Sequence, residues 1–155
     1  MIIRKATEKD LKTLNELQIA LTKYERKIAK HLVDPEKVKN EYLKEYKKRI
    51  KQKNSVFFVA QENDKIVGYI LGEIEKPSHH HIFKKRGYIV DAFVIKEYRG
   101  KGIGEKLTRR LLEWFKSKGI KWIRVSAYAN NKVGINFWKK MGFKNYVVDM
   151  TKIEE

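Results

Sequence analysis

Val94-Ile95-Lys96-Glu97-Tyr98-Arg99-Gly100-Lys101-Gly102-Ile103-Gly104 joins a β-like run to a glycine-rich turn, and the turn opens an amphipathic helix. Glycines at 100, 102 and 104 let the backbone approach a ligand closely and take conformations that a Cβ forbids. The first N–H groups of the helix that follows have no intrahelical partner and lie at the positive end of its dipole. An anion placed there gains hydrogen bonds and field together, so the stretch reads as a cradle for a pyrophosphate. The spacing excludes two common cradles. A Walker loop requires Gly-x4-Gly-Lys-Ser/Thr and a dinucleotide fingerprint requires Gly-x-Gly-x-x-Gly near the start of a βαβ unit, and neither is present. On these residues alone, the competing reading is a plain strand–turn–helix connection whose glycines serve only the turn.

The elements on either side follow from periodicity. Ile103, Leu107, Leu111, Trp114 and Phe115 mark one face of the helix after the turn, and Gly119 ends it as a C-cap. Upstream, residues 55–61 and 65–75 form a hairpin around the Asn63-Asp64 turn, and residues 87–95 are the strand that feeds the glycines. Residues 76–86, with Pro77-Ser78-His79-His80-His81, read as a polar loop. The chain starts with a short strand at 2–6 and the N-cap Thr7. A helix follows with Leu11, Leu14, Leu17, Leu21 and Tyr24 at helical spacing, and a second one runs from Asp34-Pro35 to about Ile50. Val38, Tyr42, Leu43, Tyr46 and Ile50 are expected on its buried side. Residues 122–128 read as a strand, 131–141 as a short helix and 144–151 as a final strand. The order is β-α-α-β-β-β-α-β-α-β, an α/β fold in a single domain over residues 1–155.

Arg99-x-x-Gly102-x-Gly104, with Val94 five residues upstream, resembles the acyl-CoA signature of the GNAT superfamily of N-acetyltransferases. A second stretch, Asn131-Lys132-Val133-Gly134-Ile135-Asn136-Phe137-Trp138-Lys139-Lys140-Met141-Gly142-Phe143, resembles the family's Asn-x-x-Ala-x-x-x-Tyr-x-x-x-Gly-Phe element. The likeness covers residues 55–150 well and the N-terminal third in outline, and the element order is the family's topology. The phrases VDAFVIKEYRGKGIG and INFWKKMGF are most similar to the polyamine and thialysine acetyltransferases. The resemblance implies a mixed, mostly antiparallel sheet in which the strand before the glycine loop and the strand at 122–128 splay apart. Acetyl-CoA is the implied cofactor, its pantetheine arm entering that gap and bonding main-chain groups of Ala92, Phe93 and Val94 like an added strand.

Acetyl transfer from a thioester to an amine requires a held donor, a deprotonated amine, a stabilised oxyanion and a leaving thiolate. Gly100, Lys101, Gly102, Ile103, Gly104 and Glu105 supply the cradle, with Arg99 and Lys101 adding charge beside the pyrophosphate. By resemblance, a main-chain N–H at Phe93 or Val94 polarises the thioester carbonyl. Asn131 is expected either on the cofactor arm or as the cap of its own helix. An amine with a pKa of about 10 is mostly protonated at neutral pH, so a carboxylate near the thioester is needed. Asp91 is the first candidate, because polyamine-type members carry acidic residues in this strand. The adjacent position, also acidic there, is Val90 here, and Glu73 is the second candidate. Trp138 lies in the cofactor region where the family usually has the Tyr that protonates the thiolate, and an indole offers no acid chemistry. Tyr128 or Tyr146 would substitute, or the thiolate would leave unaided. Tyr42, Tyr46, Tyr69 and Tyr88 read as core or groove-lining aromatics. The three consecutive histidines form no metal ligand set, because neighbours in sequence rarely converge on one ion.

Composition limits the rest. There is no Cys, which removes a thiolate nucleophile and a covalent acyl-cysteine. No signal-like or membrane-spanning run is present, so a cytoplasmic protein without a membrane partner is expected. Lys plus Arg number 36 against 19 acidic residues, a formal charge of +17. That excess fits steering of polyanionic coenzyme A and the Lys- and Glu-rich surface of heat-adapted proteins. Lysines scattered among glutamates argue against a specific nucleic-acid partner. The expectation is an acetyl-CoA-dependent N-acetyltransferase acting on an amine substrate in a ternary complex, as a monomer or homodimer. A coenzyme A-binding regulatory module and a basic nucleic-acid-binding domain are the alternatives.

Overall fold

In the computed structural model, which describes residues 1–154, one five-stranded sheet in the order β1-β2-β3-β4-β5 separates two helical layers. Its strands are β1 (Ile2–Lys5), β2 (Ser55–Glu62), β3 (Lys65–Glu75), β4 (Arg86–Val94) and β5 (Ile123–Val125). The helices are α1 (Leu11–Arg26), α2 (Lys39–Arg49), α3 (Ile103–Ser117) and α4 (Lys132–Lys140). β1 to β4 pair antiparallel, and β5 pairs parallel with β4. No helix among the described residues is long and apolar enough to cross a membrane.

Alternation along β2 assigns the two faces. Val56, Phe58 and Ala60 join Ile70 and Ile89 beneath Ile103, Leu107, Leu111 and Phe115 of α3. Phe57 and Val59 join Tyr69 and Leu71 against Leu14 and Leu17 of α1 and Tyr46 of α2. Each fully buried Leu or Phe contributes about 1.5–3 kcal/mol, so these two clusters fix the layers. α3 lies so close to the sheet that a Cβ on Gly72 would sit 2.5 Å from Leu111 Cδ1. The N-terminal corner is held by Asp10, which accepts from the Thr7 N–H and pairs with Arg4 at 2.8 Å. The Arg4 guanidinium holds the Asp10 carboxyl below its ordinary range.

Three elements differ from expectation. The second helix opens as a 3-10 turn, Pro35–Lys37, capped by Asp34, before α2 proper begins. Of its expected buried side chains, only Tyr46 is fully buried. The strand expected at 122–128 is reduced to Ile123–Val125, the stretch over which it has a ladder partner in β4. Residues 144–151 form no strand: Tyr146, Val147, Val148 and Met150 are 71%, 70%, 79% and 90% exposed. The adjacent pair Val147-Val148 breaks the alternation that one covered face requires, and a strand without a ladder partner leaves its backbone groups to water.

Candidate active site

The glycine loop has the geometry its sequence demands. Gly100 and Gly102 have φ of +75° and +76°, the left-handed region that L side chains avoid. Gly102 caps α3 with no side-chain hydrogen bond, leaving the first N–H groups of the helix uncovered. Arg99 folds back across the loop: its Nε donates to the Val94 carbonyl at 2.8 Å, and its guanidinium lies over the rings of Tyr24 and Phe93 at 5.5 and 5.2 Å. The Lys101 ammonium is 4.9 Å from the Tyr98 ring. Ile103 is core, and Gly104 faces the Phe137 ring. The Glu105 side chain is engaged elsewhere, pairing with Arg109 at 2.8 Å and Lys140 at 3.5 Å to tie α3 to α4.

β4 parts from β5 where the resemblance expects a splay. The parallel ladder ends at Ile89–Val125, while β4 continues to Val94. The Ile95 N–H donates to Val67 of β3 at 2.9 Å, and the Val94 carbonyl faces Arg99 on the other side. Backbone groups alternate along a strand, so the N–H groups of Ala92 and Val94 point into the open gap and that of Phe93 points to β3. Of the two expected carbonyl-polarising donors, the geometry therefore favours Val94.

Opposite the splay, β4 carries a bulge. Leu71 pairs with Asp91 but Gly72 pairs with Ile89, so Val90 is an extra residue. An inserted residue places two neighbours on one face. Val90 packs in the α1–α2 cluster and Asp91 turns toward Tyr46 on that same side. Tyr46 Oη donates to Asp91 Oδ2 at 2.5 Å and lies 2.9 Å from Tyr69 Oη. Burial pushes the Asp91 carboxyl above its ordinary range, opposed by the Tyr46 donor and by Arg49.

Glu25, near the end of α1, was not among the expected site residues. Burial first, and then the charge of Asp91, raise its carboxyl to about 7. Its position could have been found: Leu14, Leu17, Leu21 and Glu25 follow one another at helical spacing, and an acid that continues an apolar stripe is conspicuous. Glu73, by contrast, pairs with Arg49 at 3.7 Å. Tyr128, just beyond β5, faces Glu25, Tyr42 and Tyr88, and burial with those neighbours raises its hydroxyl above the ordinary value. Tyr146 is elsewhere, its ring 5.8 Å from that of Trp122, which also stacks with His81 at 4.9 Å. Asn131 caps α4: its Oδ1 accepts from the Gly134 N–H at 3.0 Å and from Tyr24 Oη at 3.2 Å. Trp138 is half-buried on the α3 core, edge-on to Phe137 and Phe143 at 4.9 and 5.5 Å.

Residues 19–143, four-fifths of the chain, match the model of the Acetyltransferase (GNAT) family. The chain belongs to this family. Over 89 residues, 57% of either length, it is 36% identical to N-alpha-acetyltransferase 30 of Schizosaccharomyces pombe. With the N-alpha-acetyltransferase of Sulfurisphaera tokodaii it shares 31% identity over 113 residues, covering 70% of this chain and 64% of that one. The matched stretch thus spans under two thirds of these relatives. A mutant of the BH1408 protein from Bacillus halodurans superposes over all of both chains with a TM-score of 0.87 at 20% identity, a likeness of fold. The GNAT assignment agrees with the glycine loop and the splay, both found in this chain's own geometry.

Proposed function

We propose that the protein is an N-acetyltransferase that moves the acetyl group of acetyl-CoA directly to a primary amine. The observation that carries this reading is the double use of β4: its free edge leads from the glycine cradle, while its bulge presents Asp91 beside Glu25, a carboxyl raised to about 7. A base with a pKa near the operating pH is what removing an ammonium proton requires. Acetyl-CoA, when bound, supplies the activated acyl group. The cradle N–H groups with Arg99 and Lys101 hold its pyrophosphate, and the main chain of Ala92 bonds the pantetheine arm.

Glu25 takes the proton as the amine nitrogen bonds to the carbonyl carbon, and the Val94 N–H receives the developing oxyanion. When the C–S bond breaks, the thiolate takes a proton from Tyr128 or from solvent. Tyr128 is the better placed of the two expected tyrosines, because it stands near Glu25 whereas Tyr146 packs on Trp122. Trp138 contributes packing to the cradle rather than acid chemistry.

Two relatives named N-alpha-acetyltransferases support an α-amino acceptor over a thialysine-like ε-amine. The neighbouring carboxyls of Glu25 and Asp91 suit an ammonium despite the overall charge of +17. A cytoplasmic location and a monomeric or dimeric state complete the reading. The test is release of free thiol from acetyl-CoA with a panel of peptides bearing free or blocked α-amino groups, alongside thialysine and polyamines. Turnover confined to free α-amines supports the reading, and no turnover of any amine contradicts it.

A further inference from the structure

Asp91 is approached from three elements. Tyr46 of α2 donates to it, Tyr69 of β3 stands behind that hydroxyl, and Glu25 of α1 is near enough for the two carboxylates to repel. Tyr46 and Tyr69 are 3% and 0% exposed, too buried to contact an incoming amine. Their rings meet edge-on with centroids 6.2 Å apart, and Tyr46 also meets Phe57 at 4.9 Å. With the Tyr46 proton committed to Asp91, the Tyr69 hydroxyl donates to the Tyr46 oxygen, so two O–H groups line up toward one carboxylate. Burial raises both phenols well above their ordinary values, which keeps them donors throughout the neutral range. Among the described residues Glu25 has no such donor: burial and the charge of Asp91 account for its displacement.

We propose that Tyr46, fixed by Tyr69, is a positioning residue that holds Asp91 as the stationary anion of the carboxylate pair and leaves Glu25 to exchange the proton of the acceptor amine. The last clause rests on the acetyl-transfer reading, whereas the division of labour between the carboxylates does not. The charged and titratable groups facing the pair are Glu45 and Arg49 of α2, Glu73 and Tyr69 of β3, and Tyr128 beyond β5. None of these donates a hydrogen bond to Asp91 among the described residues, whereas the buried Tyr46 does.

The sign of the effect follows. Removing the Tyr46 hydroxyl takes away a donor that favours charged Asp91, so Asp91 titrates at higher pH and carries less charge near neutrality. Glu25 then feels less repulsion and titrates at lower pH. The experiment is an NMR carboxylate titration of the whole chain without substrate, with kcat/KM against pH beside it, for the natural protein, Tyr46→Phe, Tyr69→Phe and Asp91→Asn. Phe keeps the rings and their edge contacts, and circular dichroism checks the fold. The expected result is a Glu25 midpoint near 7 that falls furthest in Asp91→Asn, less in Tyr46→Phe and least in Tyr69→Phe. The acid limb of kcat/KM moves to lower pH in the same order.

A purely structural tyrosine would change stability without moving either curve. A Glu25 midpoint that stays fixed or rises in folded Tyr46→Phe overturns the proposal. Should Tyr46→Phe not fold, the same outcome in Tyr69→Phe overturns it. Midpoints that move as described in a protein that turns over no amine support the division between the carboxylates and refute the acetyl-transfer reading instead.

Discussion

On the cradle side of β4 the site is made of main chain, whereas on the bulge side it is made of side chains brought together from distant segments. The cradle needs little beyond two left-handed glycines, an uncovered helix start and a strand edge that ends its pairing, all within residues 89–104. The carboxylate pocket needs Glu25 from α1, Tyr46 from α2, Tyr69 from β3 and Asp91 from β4. On the proposed reading, binding is therefore specified locally and proton transfer by tertiary packing. Changes on one side should leave the other largely intact.

The largest expected break is Gly102→Val. A β-branched residue at φ +76° is strained, and its side chain occupies the space where the pyrophosphate approaches. In the natural protein, acetyl-CoA at about 100 times its dissociation constant adds about 2.7 kcal/mol, roughly 5–10 °C in melting temperature. The variant is expected to lose that shift while the Glu25 titration stays in place. A retained shift would mean that the cradle is elsewhere.

A smaller effect separates packing from chemistry on the α3 side. Gly72→Ala brings a Cβ against Leu111 and Phe115, and such overpacking costs about 1–3 kcal/mol. Denaturant unfolding should show that loss, with the pH dependence of turnover unchanged. A neutral substitution would show that α3 stands off the sheet more than described. Smallest is Trp138→Tyr. The ring loses part of its contact with Phe137 and Phe143, worth about 1 kcal/mol, while turnover stays level or rises because an ionisable hydroxyl appears. A fall of about 100-fold or more, the scale of a lost acid–base group, would assign the indole a direct part in the reaction.

The same local-versus-tertiary difference explains what the sequence revealed. The glycine spacing, the apolar faces of α1 and α3 and the hairpin of β2 and β3 are short-range signals, and each has its counterpart in the structure. Asp91 could be singled out because the resemblance places acidic residues in this strand, but its orientation depends on the extra residue Val90, which no alternation pattern announces. Tyr46 and Tyr69 read as core aromatics, and they are buried; that their hydroxyls meet at Asp91 follows from the stacking of α2 on β3. Glu25 lies one residue past the last apolar position read in α1, and its significance comes from a neighbour 66 positions away. The expected strand at 144–151 has β-prone residues but no partner, since a strand is specified by its ladder as much as by its own side chains.

The most direct measurement of the central claim is kcat/KM against pH for the natural protein and Glu25→Gln, with acetyl-CoA and a peptide bearing a free α-amino group. The natural protein should show an acid limb centred near 7, where Glu25 loses its proton. Glu25→Gln should lose that limb and a factor of about 10² to 10⁴ in rate, while acetyl-CoA still raises its melting temperature. An unchanged limb and undiminished turnover in Glu25→Gln would contradict the account, because the substrate would then lose its proton without the carboxylate raised to about 7.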